Sequence, residues 1–351
     1  MILLSLLSFM LISWGNKGHY IINHKCPESF PESMAAFRVW SDSLDIHGSD
    51  ADSRKNADKT EGMRHYIDID NYVEFNSTGR IASTYDSIVR IHGESFIKSN
   101  GTLPWATRNM FDTLQVAFQQ QKWHKAMLCA SDLGHYVADG HMPLHLTANY
   151  DGGMTNQSGI HTRYESNMVG DYINELSNYT GEPVHLVSNV NNYIFNYIYT
   201  NQLYLDSLLA AENYAKNKAG NNYSTQYYEA LWSKTHFTTL LFHNASHSLA
   251  ELIYTAWTEA GSPTFGKQSI KNDNNPVNAN SISVYPNPTT GILDMSGDDV
   301  LKVEVCTVSG TLEGLFYDKH VDLSYLPNGM YILSIYRKNG LLQKEKILLA
   351  K

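Results

Sequence analysis

Residues 134–166 read GHYVADGHMPLHLTANYDGGMTNQSGIHTRYES, and histidine and carboxylate recur there at one interval. His135 and Asp139 are four apart, so a helix carries both side chains on the same face. Met142-Pro143-Leu144 ends that helix and lets His145 return to the same neighbourhood. After a glycine-rich loop, His161 and Glu165 repeat the four-residue spacing. One such pair is the ordinary pattern of a solvated helix face. Two pairs with a histidine between them supply the imidazole and carboxylate donors of a zinc site. A donor set without thiolates, rich in oxygen and open to water, is that of a catalytic metal rather than a structural one.

Such donors need helices to present them. Residues 105–121, 123–140, 187–215 and 224–260 place apolar side chains three and four apart, which predicts helices with one face on a core. Ser224 ahead of its run and Gly261 behind the last one are start and stop signals. Residues 14–260 are therefore expected to form an all-α domain. Residues 261–281, rich in Asn, Gly, Pro and Ser, read as a linker. Residues 282–351 alternate Val, Ile and Tyr at period two between Pro-Asn-Pro, Ser-Gly and Asn-Gly turns, which predicts a small antiparallel β-sandwich. Residues 1–13, MILLSLLSFMLIS, are apolar but shorter than the roughly 20 residues of a membrane span. They read as an export signal peptide, and no permanent transmembrane segment is expected.

Composition narrows the function classes. The chain has 351 residues, enough for about two domains. Its 42% hydrophobic content excludes wholesale disorder. A net charge of −9 argues against a broad basic face for nucleic acid or an anionic membrane. Only 3 cysteines are present, which argues against a disulfide scaffold and a cysteine-based zinc finger. Among the 15 histidines, His243 and His247 share a helix face. They are read as packed polar positions without a carboxylate partner nearby.

HxxxDxxxPxH followed by His-x-x-x-carboxylate resembles the superfamily of zinc-dependent phospholipase C and S1/P1 nuclease. In that family the mature chain begins with Trp, and in the nuclease branch a ligand His stands five residues on. Here Trp14-Gly15-Asn16-Lys17-Gly18-His19 starts where the signal peptide should end, and Ala51-Asp52 and His65-Tyr66-Ile67-Asp68 match two further family segments. The resemblance implies three zinc ions. Asp52, His65, His135 and Asp139 would hold the first, and His145, His161 and Glu165 the second. Trp14, His19 and a bridging Asp139 would hold the third. It also implies a zinc-activated water attacking a phosphodiester, with Asp52 as general base; Lys55 or Arg54 is the candidate phosphate contact, each otherwise a solvated charge.

Phospholipid and nucleic acid are both substrates of that chemistry. A short loop before His161, Ala148-Asn149-Tyr150, and Glu165 as last ligand resemble the phospholipase C branch. Lys17 stands where that branch carries an acidic choline contact, and a cation there repels choline. Tyr66 and Asp68 match the aromatic-acid pair with which nucleases hold a base. The expected function is a secreted, phospholipase C-like phosphodiesterase. An S1/P1-type single-strand nuclease is the alternative, and a non-catalytic zinc-stabilised surface protein the second alternative.

The tail carries its own resemblance, to the C-terminal sorting domain of the type IX secretion system of Bacteroidota. Tyr285-Pro286-Asn287-Pro288 with Gly291 carry it, with Val321-Asp322-Leu323, Leu326, Gly329, Tyr331 and the basic end at Lys351. This implies the type IX secretion machinery as a partner and a secreted or cell-surface location.

Overall fold

A computed structural model describes residues 15–265, 282–296, 300–307, 312–337 and 342–351. The expected signal peptide, Trp14 and residues 266–281 of the expected linker lie outside the described residues. The chain divides into two compact units, Met1–Gly266 and Lys267–Lys351.

The first unit is helical. Leu103–Gln119 starts with Pro104, whose missing N–H and fixed φ suit a first turn, and buries Phe111, Leu114 and Phe118. Trp123–Asp139 is buried on every side from Leu133 to Asp139, the mark of a helix inside a core. It passes from one apolar cluster, containing Val137, into a second one containing Ala138. Asp139 thus ends the helix at the seam. Phe237–Glu259 contributes to both clusters, through Leu249 and Ile253 in one and Leu241 and Phe242 in the other.

Two expected helices are each a pair. Residues 187–215 contain Val190–Gln202 and the start of Leu205–Ala219. Asn189 begins the first by accepting the Asn192 N–H at 2.9 Å. Residues 224–260 contain Thr225–Trp232 and Phe237–Glu259, separated by a turn in which Thr235 Oγ1 donates to the Leu231 carbonyl at 3.0 Å. Both helices of a pair bury apolar faces, so the hydrophobic period runs on through a short turn that spacing alone does not mark.

The second unit is a β-sandwich with strands β1 (Val284–Tyr285), β2 (Ile292–Met295), β3 (Val300–Thr307), β4 (Leu312–Phe316), β5 (His320–Asp322), β6 (Gly329–Arg337) and β7 (Leu342–Leu349). One sheet has the order β1-β2-β5 and the other β4-β3-β6-β7, with antiparallel pairing throughout. Along β6, Tyr331, Leu333 and Ile335 are buried while Met330 is exposed, the period-two pattern of a half-covered strand. Leu293 and Val321 from one sheet share a core with Val303, Leu333 and Ile347 from the other. The architecture is the expected one, a mainly α domain followed by a small antiparallel sandwich. Among the described residues no helix is long and apolar enough to cross a membrane.

Candidate metal centre

Three groups of donors meet at the end of the Trp123–Asp139 helix. They are His65 with His135 and Asp139, His19 with Asp52 and His135, and His145 with His161 and Glu165, with the donor atoms of each group within 4.8 Å of one another. All are buried except Asp52, whose side chain is 14% exposed.

Helix packing assembles the first two groups. Gly134 lets the Gly15–Lys25 helix approach, since a Cβ there would stand 1.8 Å from Asn23 Oδ1. Asn23 Nδ2 donates to the Leu44 and Ser131 carbonyls, at 3.1 Å each. One turn earlier, His19 stacks on His135 with ring centroids 3.7 Å apart. His135 Nε2 lies 3.0 Å from His65 Nδ1, 3.5 Å from Asp139 Oδ2 and 3.6 Å from Asp52 Oδ1. Asp139 faces several donors at once. Its Oδ2 is 3.0 Å from His65 Nδ1, and its Oδ1 is 3.5 Å from His145 Nδ1 and 3.7 Å from His19 Nε2.

A loop and a short turn of helix place the third group. Gly159 enters that turn at φ +86, and residues Arg163–Met168 wind as a π-helix that includes Glu165; such turns recur at functional sites. His161 Nε2 is 2.9 Å from Glu165 Oε2 and 3.3 Å from His145 Nε2.

Outer partners fix which ring nitrogen faces inward. His135 Nδ1 donates to the Gly48 carbonyl at 2.8 Å, His145 Nδ1 to the His65 carbonyl at 2.6 Å and His161 Nδ1 to the Tyr150 carbonyl at 3.1 Å. A carbonyl only accepts, so each Nδ1 carries a proton and it is Nε2 that is left facing inward. The Nε2 atoms of His145 and His161 face each other at 3.3 Å, an arrangement that a shared cation satisfies. Glu165 Oε1 and Asp52 Oδ2 are also buried without a hydrogen bond, and Glu165 Oε2 has only the His161 and His145 ring nitrogens beside it, a costly state that a cation relieves. The donors fit zinc.

The electrostatics agree. Burial lowers the His19 imidazole well below its usual value, and the neighbouring His135 lowers it further. Burial opposes charge on His135 too, but Asp139 and then Asp52 outweigh it and raise its value to about 9. Burial would raise Asp52, yet His135 and Lys55 hold its carboxyl well below the carboxylate range. Burial likewise opposes a charged Glu165, and His161 keeps that carboxyl low.

Of the other expected site residues, Lys55 Nζ stands 2.5 Å from Asp52 Oδ1. Tyr66 is half-buried, with its hydroxyl 3.5 Å from the Ser99 carbonyl. Asp68, nearby in the chain, is pushed up to about 7 by burial and by Asp70. Trp14 lies outside the described residues. His247 corrects the reading that it lacked a carboxylate, because Glu251, one turn on, is 3.4 Å away.

Glu61 was missed. Its Oε1 lies 3.5 Å from His65 Nε2 and accepts the Tyr136 hydroxyl at 2.5 Å, while Oε2 accepts Arg64 Nη1 at 2.8 Å. A buried carboxylate on the far nitrogen of a ligand histidine orients it and raises its basicity. Glu61 and His65 are four apart, so the spacing used for the other pairs was the available signal.

Residues 283–350 match the family model described as a secretion system C-terminal sorting domain. The tail is a sorting domain. The chain is thereby exported, to the cell surface or beyond it. No curated protein matches the chain. Among solved structures it is similar to the alpha toxin of Clostridium absonum, at 12% identity and TM-score 0.46, covering 95% of this chain and 96% of that one. It is also similar to the alpha-toxin of Clostridium perfringens from avian strain SWCP, at 12% identity and TM-score 0.47, covering 95% and 98%. At that level, activity must be argued from the site itself.

Proposed function

We propose that the helical unit is a zinc-dependent phosphodiesterase of the phospholipase C kind, with three Zn²⁺ held by Asp52, His65, His135, Asp139, His145, His161, Glu165, His19 and Trp14. The observation that carries this reading is the set of buried inward-facing donors, above all the opposed Nε2 atoms of His145 and His161 at 3.3 Å beside an unsatisfied Glu165. When bound, zinc supplies a water acidic enough to attack near neutral pH and positive charge for the phosphoryl oxygens.

The side chains do the rest. Asp52 is the donor most open to solvent, so it is placed to accept the proton of the attacking water. Lys55 holds Asp52 Oδ1, the same oxygen that lies 3.6 Å from His135 Nε2 and from His65 Nδ1, and so fixes that carboxylate's orientation toward the centre. A cationic centre inside an acidic chain draws an anionic diester without a basic surface. Tyr150, exposed with its ring centroid 6.1 Å from that of His161, gives the rim apolar character suited to a lipid.

One observation favours the nuclease reading. Tyr66 offers a half-buried ring, and Asp68, near 7, is protonated in part at neutral pH and can donate to a base.

The deciding experiment uses protein processed to begin at Trp14. Hydrolysis of bis-p-nitrophenyl phosphate is expected, lost on chelation and restored by Zn²⁺. Mixed phospholipid micelles are expected to be cleaved faster than single-stranded DNA or RNA. Inactivity of zinc-loaded protein on every diester would leave the non-catalytic scaffold, and preference for single strands would establish the nuclease. An added residue before Trp14 is expected to lower zinc content and activity.

A further inference from the structure

The segment carrying His161 and Glu165 is tied to a distant helix by a buried charged network. Arg163 lies between those two residues, and its guanidinium is buried. Its Nε donates to Glu212 Oε1 at 2.9 Å, and its Nη2 donates to the same oxygen. Nη2 also donates to the Gln157 carbonyl and Nη1 to the Ser158 carbonyl, both at 2.9 Å. Glu212 sits on Leu205–Ala219 and is fully buried. Its Oε1 accepts the Tyr227 hydroxyl at 3.1 Å, and its Oε2 accepts Gln157 Nε2 at 2.8 Å and Lys216 Nζ at 3.1 Å. Gly159 leaves room for the guanidinium, since a Cβ there would stand 2.5 Å from Arg163 Nη1.

Stability is a poor reason for such a network. Taking an ion pair out of water rarely gains over apolar packing of the same volume. What these bonds do fix is geometry, because they close residues 157–163 on themselves and lock that turn to the Leu205–Ala219 helix. His161 lies inside the locked turn and Glu165 two residues beyond it. A metal group loosened by even an ångström loses affinity.

We infer that Arg163 and Glu212 are positioning residues for the His145–His161–Glu165 group, an inference that rests on reading that group as a zinc site. They touch neither metal nor substrate. Their effect is selective for the zinc held by that group.

The test uses the full chain, stripped of metal and titrated with Zn²⁺ against a chromophoric chelator, in wild type, H161A, E212Q and E212Q/H161A. H161A is expected to abolish one zinc site. E212Q is expected to weaken one site by about 10–100-fold, the range for partners that orient ligands, and to leave the others unchanged. In the double variant, E212Q is expected to add nothing to H161A. If H161A keeps every zinc, the zinc reading of the group fails. If H161A loses a zinc and E212Q does not weaken one, the positioning inference fails. Equal weakening of all sites by E212Q, or a further loss in the double variant, also overturns it, because a general folding defect would do the same. Should far-UV circular dichroism show E212Q unfolded, Y227F decides by the same readout. It removes one hydroxyl from Glu212 and is expected to weaken the same single site about threefold; no selective change overturns the inference.

Discussion

His145, His161 and Glu165 come from one continuous stretch, whereas His19, Asp52, His65, His135 and Asp139 converge from separate segments. The local group is oriented by backbone carbonyls and by a loop that Arg163 closes. The dispersed group is oriented by packing, with Gly134 admitting the His19 helix and the Glu61 carboxylate behind His65. The two are stitched together by backbone and side chain. Ile67 N–H donates to the His145 carbonyl at 2.9 Å, and Asp70 accepts Thr147 Oγ1 at 2.6 Å and the Ala148 N–H at 2.9 Å. A group made locally should therefore fail alone, and a group made by tertiary packing should fail with the fold around it.

The largest expected effect comes from removing the residue that faces both. Asp139→Ala is expected to lower zinc content by two ions or more, while His161→Ala lowers it by one. Both should reduce diester hydrolysis about 1,000-fold, because metal charge is worth several kcal/mol to the transition state. Metal analysis of the purified variants checks this. Equal zinc loss in the two would mean the groups are not separate sites.

Glu61→Gln comes next. It keeps the shape behind His65 and removes the charge, so zinc affinity of the dispersed group should fall about 10–100-fold with the local group unaffected. It is the counterpart of E212Q, and chelator competition reads both. If Glu61→Gln weakens the local group as much, the stitch between residues 65–70 and 145–148 couples the two more tightly than their separate construction implies.

The same contrast explains what the sequence made legible. His135, Asp139, His145, His161 and Glu165 stand close together at helical spacing, so they declared themselves as donors without any resemblance. His19, Asp52 and His65 came forward only through resemblance, since a single histidine or aspartate far from its partners has no local signature. Helix periodicity placed Leu103–Gln119 and Trp123–Asp139 within two residues at each end. It missed the turns after Gln202 and Trp232, because the helices on both sides bury apolar faces; those around Trp232 share one core, while those around Gln202 face two different ones. Glu61 could have been read from its four-residue spacing to His65, but Arg163 and Glu212 were illegible. Charged residues on helices read as solvated faces, and only the fold shows that their partners lie across the core.

The smallest expected effect tests the joint between the groups by its pH dependence. Burial, aided by the charge of Asp70, pushes Asp68 up to about 7 from a usual 3.8. The folded chain then binds this proton more tightly than the unfolded one. Ionising Asp68 therefore carries a penalty that is absent below the usual carboxylate value, grows as pH rises through the window up to about 7, and stays constant above it. Asp68→Asn removes the penalty. Its side chain is partly open to solvent, so screening leaves about 1–2 kcal/mol of added stability at pH 8, with a smaller gain at pH 5. Asp70→Asn should act oppositely and destabilise at both pH values, because Asp70 uses both oxygens to hold the Thr147–Ala148 turn beside the local group, a loss that exceeds the relief Asp68 gains when the Asp70 charge is removed. Urea unfolding of the two variants at pH 5 and pH 8 separates these cases. An equal gain for Asp68→Asn at both would show that a different group titrates in this window, and a gain for Asp70→Asn would remove Asp70 as the tie between the two donor groups.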